Sequence, residues 1–133
     1  MAIANIKAIL RSDISVVWEI VTSLDNYAWR SDLSKIEILE RNKKFIEHTK
    51  DGYATIFTIT KFEPPYQYEF EMENENMKGY WVGIFGKTQN GGTMIDFTEE
   101  VKPKKFILKL FVKGYLRKQQ KQYVEDLRKA LGE

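Results

Sequence analysis

The strongest constraint on the fold is a stretch of strict alternation between residues 66 and 73. Large apolar side chains alternate there with polar ones: Tyr66, Tyr68, Phe70 and Met72 against Gln67, Glu69, Glu71 and Glu73. Successive side chains of a β-strand point to opposite faces of the sheet, so this pattern predicts a strand with one buried and one solvated face. A second layer of structure must therefore cover the aromatic face of the sheet.

Further strands follow at short intervals, and one long helical segment comes after them. Gly, Asp, Asn and Pro separate the apolar runs, which is typical of a meander of hairpins. Residues 105–131 contain no proline and have apolar residues at helical spacing, so they predict one long helix. A helix over 13–23 and a second short helical or turn segment over 25–31 precede the meander. The predicted strands cover 2–10, 36–40, 45–49, 53–62, 66–73, 80–87 and 93–101.

Length and composition predict a globular protein without covalent cross-links. A chain of 133 residues fits one domain over 1–133, and its hydrophobic fraction of 43% is enough for a core. Cysteine is absent, which excludes disulfides and thiolate chemistry. No stretch approaches the roughly 20 apolar residues of a membrane span, and no secretory leader is visible, so we expect a cytoplasmic protein. The net charge of +2 is too small to indicate nucleic acid binding.

Several motifs occur in a fixed order along the whole chain. They are Ser15-Val16-Val17-Trp18-Glu19-Ile20-Val21, Leu24-Asp25-Asn26-Tyr27-Ala28-Trp29, Phe62-Glu63-Pro64-Pro65, Gly91-Gly92-Thr93 and the final amphipathic helix. In this order they resemble the START and birch-pollen-allergen (SRPBCC) superfamily, and most closely its polyketide cyclase/dehydrase and lipid-transport type. The resemblance implies an α+β helix-grip fold. In that fold a seven-stranded curved antiparallel sheet, with two short helices after strand 1, holds a long C-terminal helix over a cavity.

An apolar cavity also follows from the geometry of such a sheet. A twisted seven-stranded sheet with aromatic residues on one face leaves a concavity that a helix covers but does not fill. For each aromatic residue the alternative is ordinary core packing. Which parity of 53–62, 80–87 and 93–101 faces inward stays open. The candidate ligand-binding residues are Trp29, Tyr66, Tyr68, Phe70, Trp81, Phe85, Phe97, Leu108, Phe111, Tyr115 and Gln119.

Three of these candidates carry specific expectations. Buried tyrosines at 66 and 68 would each bring a hydroxyl that needs a hydrogen-bond partner, which a ligand or a bound water would supply. Gln119 lies in the middle of the apolar stripe of the last helix. It is either a polar lining residue or the point where the stripe turns to solvent. The resemblance implies that the first half of this helix borders the cavity.

Few residues indicate catalysis, and none indicates a metal or cofactor. His48 is the only histidine and has no second ligand at metal-binding spacing, and its place beside a turn favours exposure. Asp96 is the best acid–base candidate, because an apolar cavity would raise the pKa of a carboxyl group. An outward orientation is nevertheless favoured, since burying an unpaired carboxylate is costly. An enzyme would need Asp96, His48, Tyr68 and Tyr115 to converge.

A basic ridge runs along the last helix beside the apolar stripe. Its members recur every four residues: Lys105, Lys109, Lys113, Arg117 and Lys121. A solvated outer face is the simpler interpretation. The alternative is contact with an anionic lipid surface or an acidic partner.

These patterns together favour a binding protein. The expected partner is a small hydrophobic ligand, such as a lipid, a quinone, a polyketide or an aromatic compound, held in an internal cavity. We expect a monomer or homodimer with no integral membrane segment, no nucleic acid partner and at most weak contact with anionic membranes. A polyketide cyclase/dehydrase-like enzyme is one alternative. A membrane-surface or protein-interaction module acting through the basic helix is another.

Overall fold

Seven strands form one curved antiparallel sheet, and a long C-terminal helix packs against it. The computed structural model describes the backbone of residues 1–133 and the side chains of all of them except Ile107. The elements are β1 (Ala2–Leu10), α1 (Ile14–Thr22), β2 (Leu33–Glu40), β3 (Lys44–Thr49), β4 (Ala54–Glu63), β5 (Gln67–Glu73), β6 (Met77–Lys87), β7 (Thr93–Pro103), a 3-10 helix (Phe106–Leu110) and α2 (Val112–Ala130).

The strand order is β1-β7-β6-β5-β4-β3-β2, so only β1 leaves the simple meander. It pairs with the last strand, from Ala2 opposite Val101 to Leu10 opposite Thr93. The predicted helix-grip architecture is confirmed. The sheet curves continuously from β7 through β6, β5 and β4 to β3. As a result, β3 and β7 face each other across a hollow.

Helix α1 forms where the sequence predicted it. The carboxylate of Asp13 accepts a hydrogen bond from the backbone N–H of Ser15 at 3.0 Å and caps the first turn. Val17 and Trp18 are then buried against the sheet, and the ring of Trp18 meets that of Phe85 edge-on at 5.0 Å. Packing of this apolar face closes one end of the molecule.

The segment 25–31 forms turns, so one short helix rather than two follows β1. Local hydrogen bonds explain the difference. The hydroxyl of Ser23 accepts from the N–H of Asn26 at 3.0 Å, and the carbonyl of Tyr27 accepts from the N–H of Arg30 at 3.0 Å. Side chains that satisfy the backbone in this way compete with helix formation.

The C-terminal segment is interrupted at Phe111, whereas the sequence predicted one continuous helix. A 3-10 helix precedes this residue and α2 follows it. Helices in proteins are stabilised mainly by packing, and α2 begins where Val112 and Leu116 reach the sheet. The preceding residues Phe106 and Leu110 are exposed and provide no such packing.

Helix α2 is fixed over the sheet by an apolar stripe and by one buried polar contact. Leu116, Val124 and Leu127 are buried. Gln120, also buried, donates a hydrogen bond from its side-chain amide to the carbonyl of Ala4 in β1 at 3.0 Å. This bond fixes the height of α2 relative to the sheet edge. Among the described residues, no helix has both the length and the apolarity to cross a bilayer.

Candidate functional site

A cavity of about 750 Å³ lies between the inner face of the sheet and α2. Its size is within the range of pockets that enclose small organic ligands. Its rim is formed by the turn between β3 and β4 and by the start of α2, where the lining residues Tyr53, Phe111 and Tyr115 are exposed to solvent. The hollow is therefore reachable from outside at the side where the 3-10 helix meets α2.

One wall of the cavity is a continuous aromatic surface. The rings of Phe70 and Trp81 stack in parallel with centroids 4.8 Å apart, and Trp81 lies 4.8 Å from Phe97 at a tilt. Tyr68 and Phe57 meet Phe70 edge-on at 5.4 and 5.0 Å. These residues come from adjacent strands β4 to β7 at positions that share one face, so strand parity alone brings them together.

The flat placement of Trp81 depends on the absence of a side chain two residues later. A β-carbon on Gly83 would lie 2.6 Å from Cζ3 of the Trp81 indole and 3.3 Å from a ring carbon of Phe97. The indole occupies this space and lies along β6. By contrast, a β-carbon on Gly86 in the same strand would meet only the methyl of Met94, at 3.6 Å.

A charged cluster lines the cavity beside Tyr123 of α2. Arg30 donates two hydrogen bonds of 3.0 Å to the carboxylate of Asp32, and its Nη2 lies 3.4 Å from Oε1 of Glu47. Its guanidinium also stacks over the ring of Tyr123 at 4.9 Å. Burial raises the pKa of the Glu47 carboxyl, and the charge of Arg30 partly offsets this. Arg30 thus makes four of its five possible N–H hydrogen bonds with two carboxylates.

Glu99 faces the same cavity from β7. In the sheet it lies opposite Trp81 on one side and Ala4 on the other, which are both apolar neighbours. Within the described part of the chain its carboxylate accepts no hydrogen bond and has no ion-pair partner. Burial, with repulsion from Glu47, raises the pKa of Glu99 to about 7 despite the attraction of Arg30. This carboxyl group therefore titrates near neutral pH.

Tyrosine hydroxyls add neutral polar groups to the cavity. Burial raises the pKa values of Tyr68 and Tyr123, so both stay protonated. Neither hydroxyl has a hydrogen-bond partner among the side chains and backbone groups that the structure describes. At the rim, the hydroxyl of Tyr115 accepts a hydrogen bond from the Gln119 amide at 2.8 Å. The two inner hydroxyls are free to donate to a guest molecule or to water.

The structure places nine of the eleven predicted site residues on the cavity lining. These are Trp29, Tyr68, Phe70, Trp81, Phe97, Leu108, Phe111, Tyr115 and Gln119. Gln119 lines the cavity and is also exposed at its rim. It is therefore both a polar lining residue and the point where the stripe turns to solvent.

Two predicted residues lie elsewhere. Tyr66 is 51% exposed, because it belongs to the turn after Pro64-Pro65 and precedes β5. Phe85 is 2% exposed and faces inward, but at the end of the sheet that α1 closes. There it packs between Trp18 and Phe97 and does not line the cavity.

The residues on which the enzyme alternative depended do not converge. Asp96 lies on the outer face of β7, between inward Ile95 and Phe97, and accepts a hydrogen bond from the Asn5 amide at 2.6 Å. His48 lies outside the cavity lining, 3.2 Å from the carboxylate of Glu37. Only Tyr68 and Tyr115 of the proposed four line the cavity.

Sequence reasoning missed the charged residues of the cavity. Glu99 has the same parity as Phe97 and Val101, and Glu47 the same parity as Phe45, so alternation could have indicated both. Arg30 follows Trp29 in an irregular segment, where no periodic signal exists.

Comparison with known proteins gives one family. The model of the family described as polyketide cyclase / dehydrase and lipid transport matches residues 8–132. No curated protein sequence matches the chain.

Solved structures share the fold at low sequence identity. A conserved protein from Geobacillus kaustophilus is 14% identical with a TM-score of 0.82, and the alignment covers 98% of this chain and 95% of that one. A START superfamily protein from Mycobacterium smegmatis is 13% identical with a TM-score of 0.84, covering 98% and 97%. The di-domain ARO/CYC BexL from the BE-7585A biosynthetic pathway is 8% identical with a TM-score of 0.83. There 99% of this chain matches 47% of the longer protein. At these identities the likeness shows the fold alone.

Proposed function

Because the chain belongs to the polyketide cyclase / dehydrase and lipid transport family, we propose that it binds a small, mostly apolar molecule in the cavity beneath α2. The ligand would be a lipid, a quinone, a polyketide or another aromatic compound. The observation that carries the proposal is a hollow of about 750 Å³ with an aromatic wall and an opening at one side. The nine predicted residues on its lining are the proposed ligand contacts.

Apolar burial supplies most of the binding energy in this proposal. A guest that buries about 300 Å² of apolar surface would gain roughly 7 kcal/mol before the costs of association. The stacked rings of Phe70 and Trp81 offer a flat surface for a planar or ring-containing guest. The hydroxyls of Tyr68 and Tyr123 would orient its polar end.

Titration with Nile red, a neutral apolar dye, tests the proposal. We expect saturable binding in the micromolar range, with a change in tryptophan emission because Trp29 and Trp81 line the cavity. Ile36→Trp places extra bulk on the lining and should weaken binding by about tenfold, since a cavity already occupied by side chain excludes the guest. Native mass spectrometry of protein purified from its own host would then identify the natural ligand.

The control for this experiment lies on the same strand. Leu39 of β2 is exposed and does not line the cavity, so Leu39→Trp should bind Nile red like the unmodified protein. Absence of saturable binding to the unmodified protein would contradict the proposal. Equal loss of binding in both tryptophan variants would show that the dye does not report on the cavity.

Contact with an anionic membrane is a second candidate, favoured by the surface around the cavity rim. Four large apolar side chains are exposed there: Phe106, Leu110, Phe111 and Tyr115. The basic ridge of the same segment surrounds them, and the ammonium of Lys109 lies 5.7 Å from the ring of Phe106. The apolar side chains of such a patch can insert into the interior of an anionic bilayer, and the basic side chains around them can contact its negatively charged surface. A guest could then pass directly between bilayer and cavity.

Vesicle co-sedimentation separates this surface from an ordinary solvated one. We expect binding to vesicles of phosphatidylcholine with 30% phosphatidylserine and little binding to phosphatidylcholine alone. Replacing Lys109, Lys113 and Arg117 with Gln should weaken it by at least about tenfold, because each basic residue near such a surface contributes up to about 1 kcal/mol. Replacing Lys7, Lys35 and Lys78, which are exposed on the sheet strands, removes the same charge and should have little effect. Equal binding by both triple variants would remove this candidate.

A further inference from the structure

The charges that face the cavity do not balance. Arg30 is the one cation of the inner cluster among the described residues, and it already contacts Asp32 and Glu47. Glu99 adds a third carboxylate that has no partner. Lys50 and Asp51 also line the cavity, but both are exposed at the rim and offset each other. The interior is therefore negative when its carboxyl groups are ionised.

Glu99 is partly exposed to the cavity, so a guest that fills the cavity would leave its carboxylate unfavourably desolvated unless the guest carried a complementary charge. The described His, Asp and Glu residues include no group of three placed to hold a metal ion. A positive group on an organic guest is therefore the complement that fits. A guest ending in a carboxylate or phosphate would instead meet two glutamates and an arginine that already makes four of its five possible N–H hydrogen bonds with Asp32 and Glu47.

The aromatic wall supports the same conclusion independently of the carboxylates. The face of an aromatic ring attracts a cation, and Trp does so most strongly. Trp81 lies directly across the strands from Glu99 and stacks on Phe70, so rings and carboxylate are neighbours on one surface. A site that combines an unpaired carboxylate with aromatic faces suits an ammonium group attached to an apolar body.

We propose that the ligand of this cavity is a hydrophobic amine, whose positively charged nitrogen lies between Glu99 and Glu47 while its apolar part packs on Phe70 and Trp81. This rests on the proposed function, because it specifies the chemical class of the guest in the same cavity. Tyr68 and Tyr123 provide hydroxyl oxygens that can accept the remaining hydrogen bonds of the nitrogen. Neutral lipids would bind more weakly than amines, and fatty acids weaker still.

Three ligands with one apolar body test the inference: 6-phenylhexylamine, 6-phenylhexan-1-ol and 6-phenylhexanoate. Isothermal titration at pH 8, where Glu99 is ionised and the amine is protonated, should give the amine at least about tenfold higher affinity than the alcohol. The carboxylate should bind more weakly than the alcohol. Glu99→Gln should bring the ratio of amine to alcohol affinity close to one, because it removes the charge and keeps the shape.

Glu100→Gln is the matched control, since it makes the same change one residue later on the outer face of the sheet. It should keep the amine preference, and thermal unfolding should establish that both variants are folded. Equal affinity for amine and alcohol in the unmodified protein would overturn the inference while leaving the proposed function intact. Failure of all three ligands and of Nile red to bind would overturn both. Binding of Nile red without any of the three would count against the amine alone.

Discussion

Replacing Arg30 by methionine is expected to lower the free energy of unfolding by about 3 kcal/mol at pH 8, because the change leaves two partly buried carboxylates without their cation. The side chain of Arg30 is 14% exposed and lies 3.0 Å from Asp32 and 3.4 Å from Glu47. Methionine keeps most of the packing on Tyr123, so the loss reports on charge. Urea denaturation monitored by circular dichroism measures it.

Arg41 provides the matched control, because it also binds an aspartate through two hydrogen bonds. Its contacts with Asp25 are 3.0 and 3.2 Å long, but both side chains are more than half exposed. Solvent screens such a pair, so Arg41→Met should change the free energy of unfolding little. The deficit of Arg30→Met should also shrink as the pH falls, because burial raises the pKa of Glu47 and brings that of Glu99 to about 7, so protonation removes negative charge that Arg30 balances. Similar losses in the two variants, or a deficit independent of pH, would contradict this account of the cluster.

Glu99→Gln is expected to stabilise the protein above pH 7 and to have little effect near pH 4.5. In the folded protein the pKa of Glu99 is about 7, against 4.5 for an ordinary Glu. Between these values the unfolded chain has released the proton and the folded chain keeps it, so stability falls as the pH rises through this window. At 1.36 kcal/mol per pKa unit, the loss that the glutamine removes reaches about 3 kcal/mol at pH 8.

The difference in unfolding free energy between Glu99→Gln and the unmodified protein isolates this one group. Carboxyl groups with pKa values lowered by hydrogen bonds, such as Asp126 and Glu133, titrate in both proteins and cancel. Glu47, whose pKa burial also raises, is likewise present in both. Denaturation at intervals from pH 4.5 to 8.5 should give a difference that grows with pH. A flat difference for Glu99→Gln would mean that its carboxyl is solvated in the folded state.

The aromatic wall could be predicted from the sequence in part. Alternation in 66–73 assigns Tyr68 and Phe70 to the buried face. For Trp81 and Phe97 the sequence left the parity open, and the strand register places them beside Phe70. Tyr66 has the same parity as Tyr68 but lies outside β5. The turn that contains Pro64 and Pro65 extends through Tyr66, so the strand begins at Gln67, one residue later than the alternation predicts. Phe85 lies within a strand and faces inward, but Trp18 of α1 fills the space at its end of the sheet. Periodicity identifies a face and does not tell which part of it stays empty.

The charged cluster could not be predicted in the same way. Arg30, Asp32 and Glu47 meet Tyr123 only because the curved sheet, an irregular segment and α2 come together. No local pattern encodes that encounter. For Glu99 the parity was readable, but the high cost of burying a carboxylate argues against an inward position unless a cavity is already known. The break at Phe111 has a similar origin, since helical spacing does not reveal where packing against the sheet begins.

Gly83 affects the dimensions of the cavity although it is not among the residues that line it. A β-carbon there would overlap the indole of Trp81 and push it off β6 into the open space, so the room for a guest would shrink. Relatives with another residue at this position would therefore bind ligands of a different width, even where all residues that contact the ligand are the same. The size limit of the chamber is set in part by a residue that has no side chain.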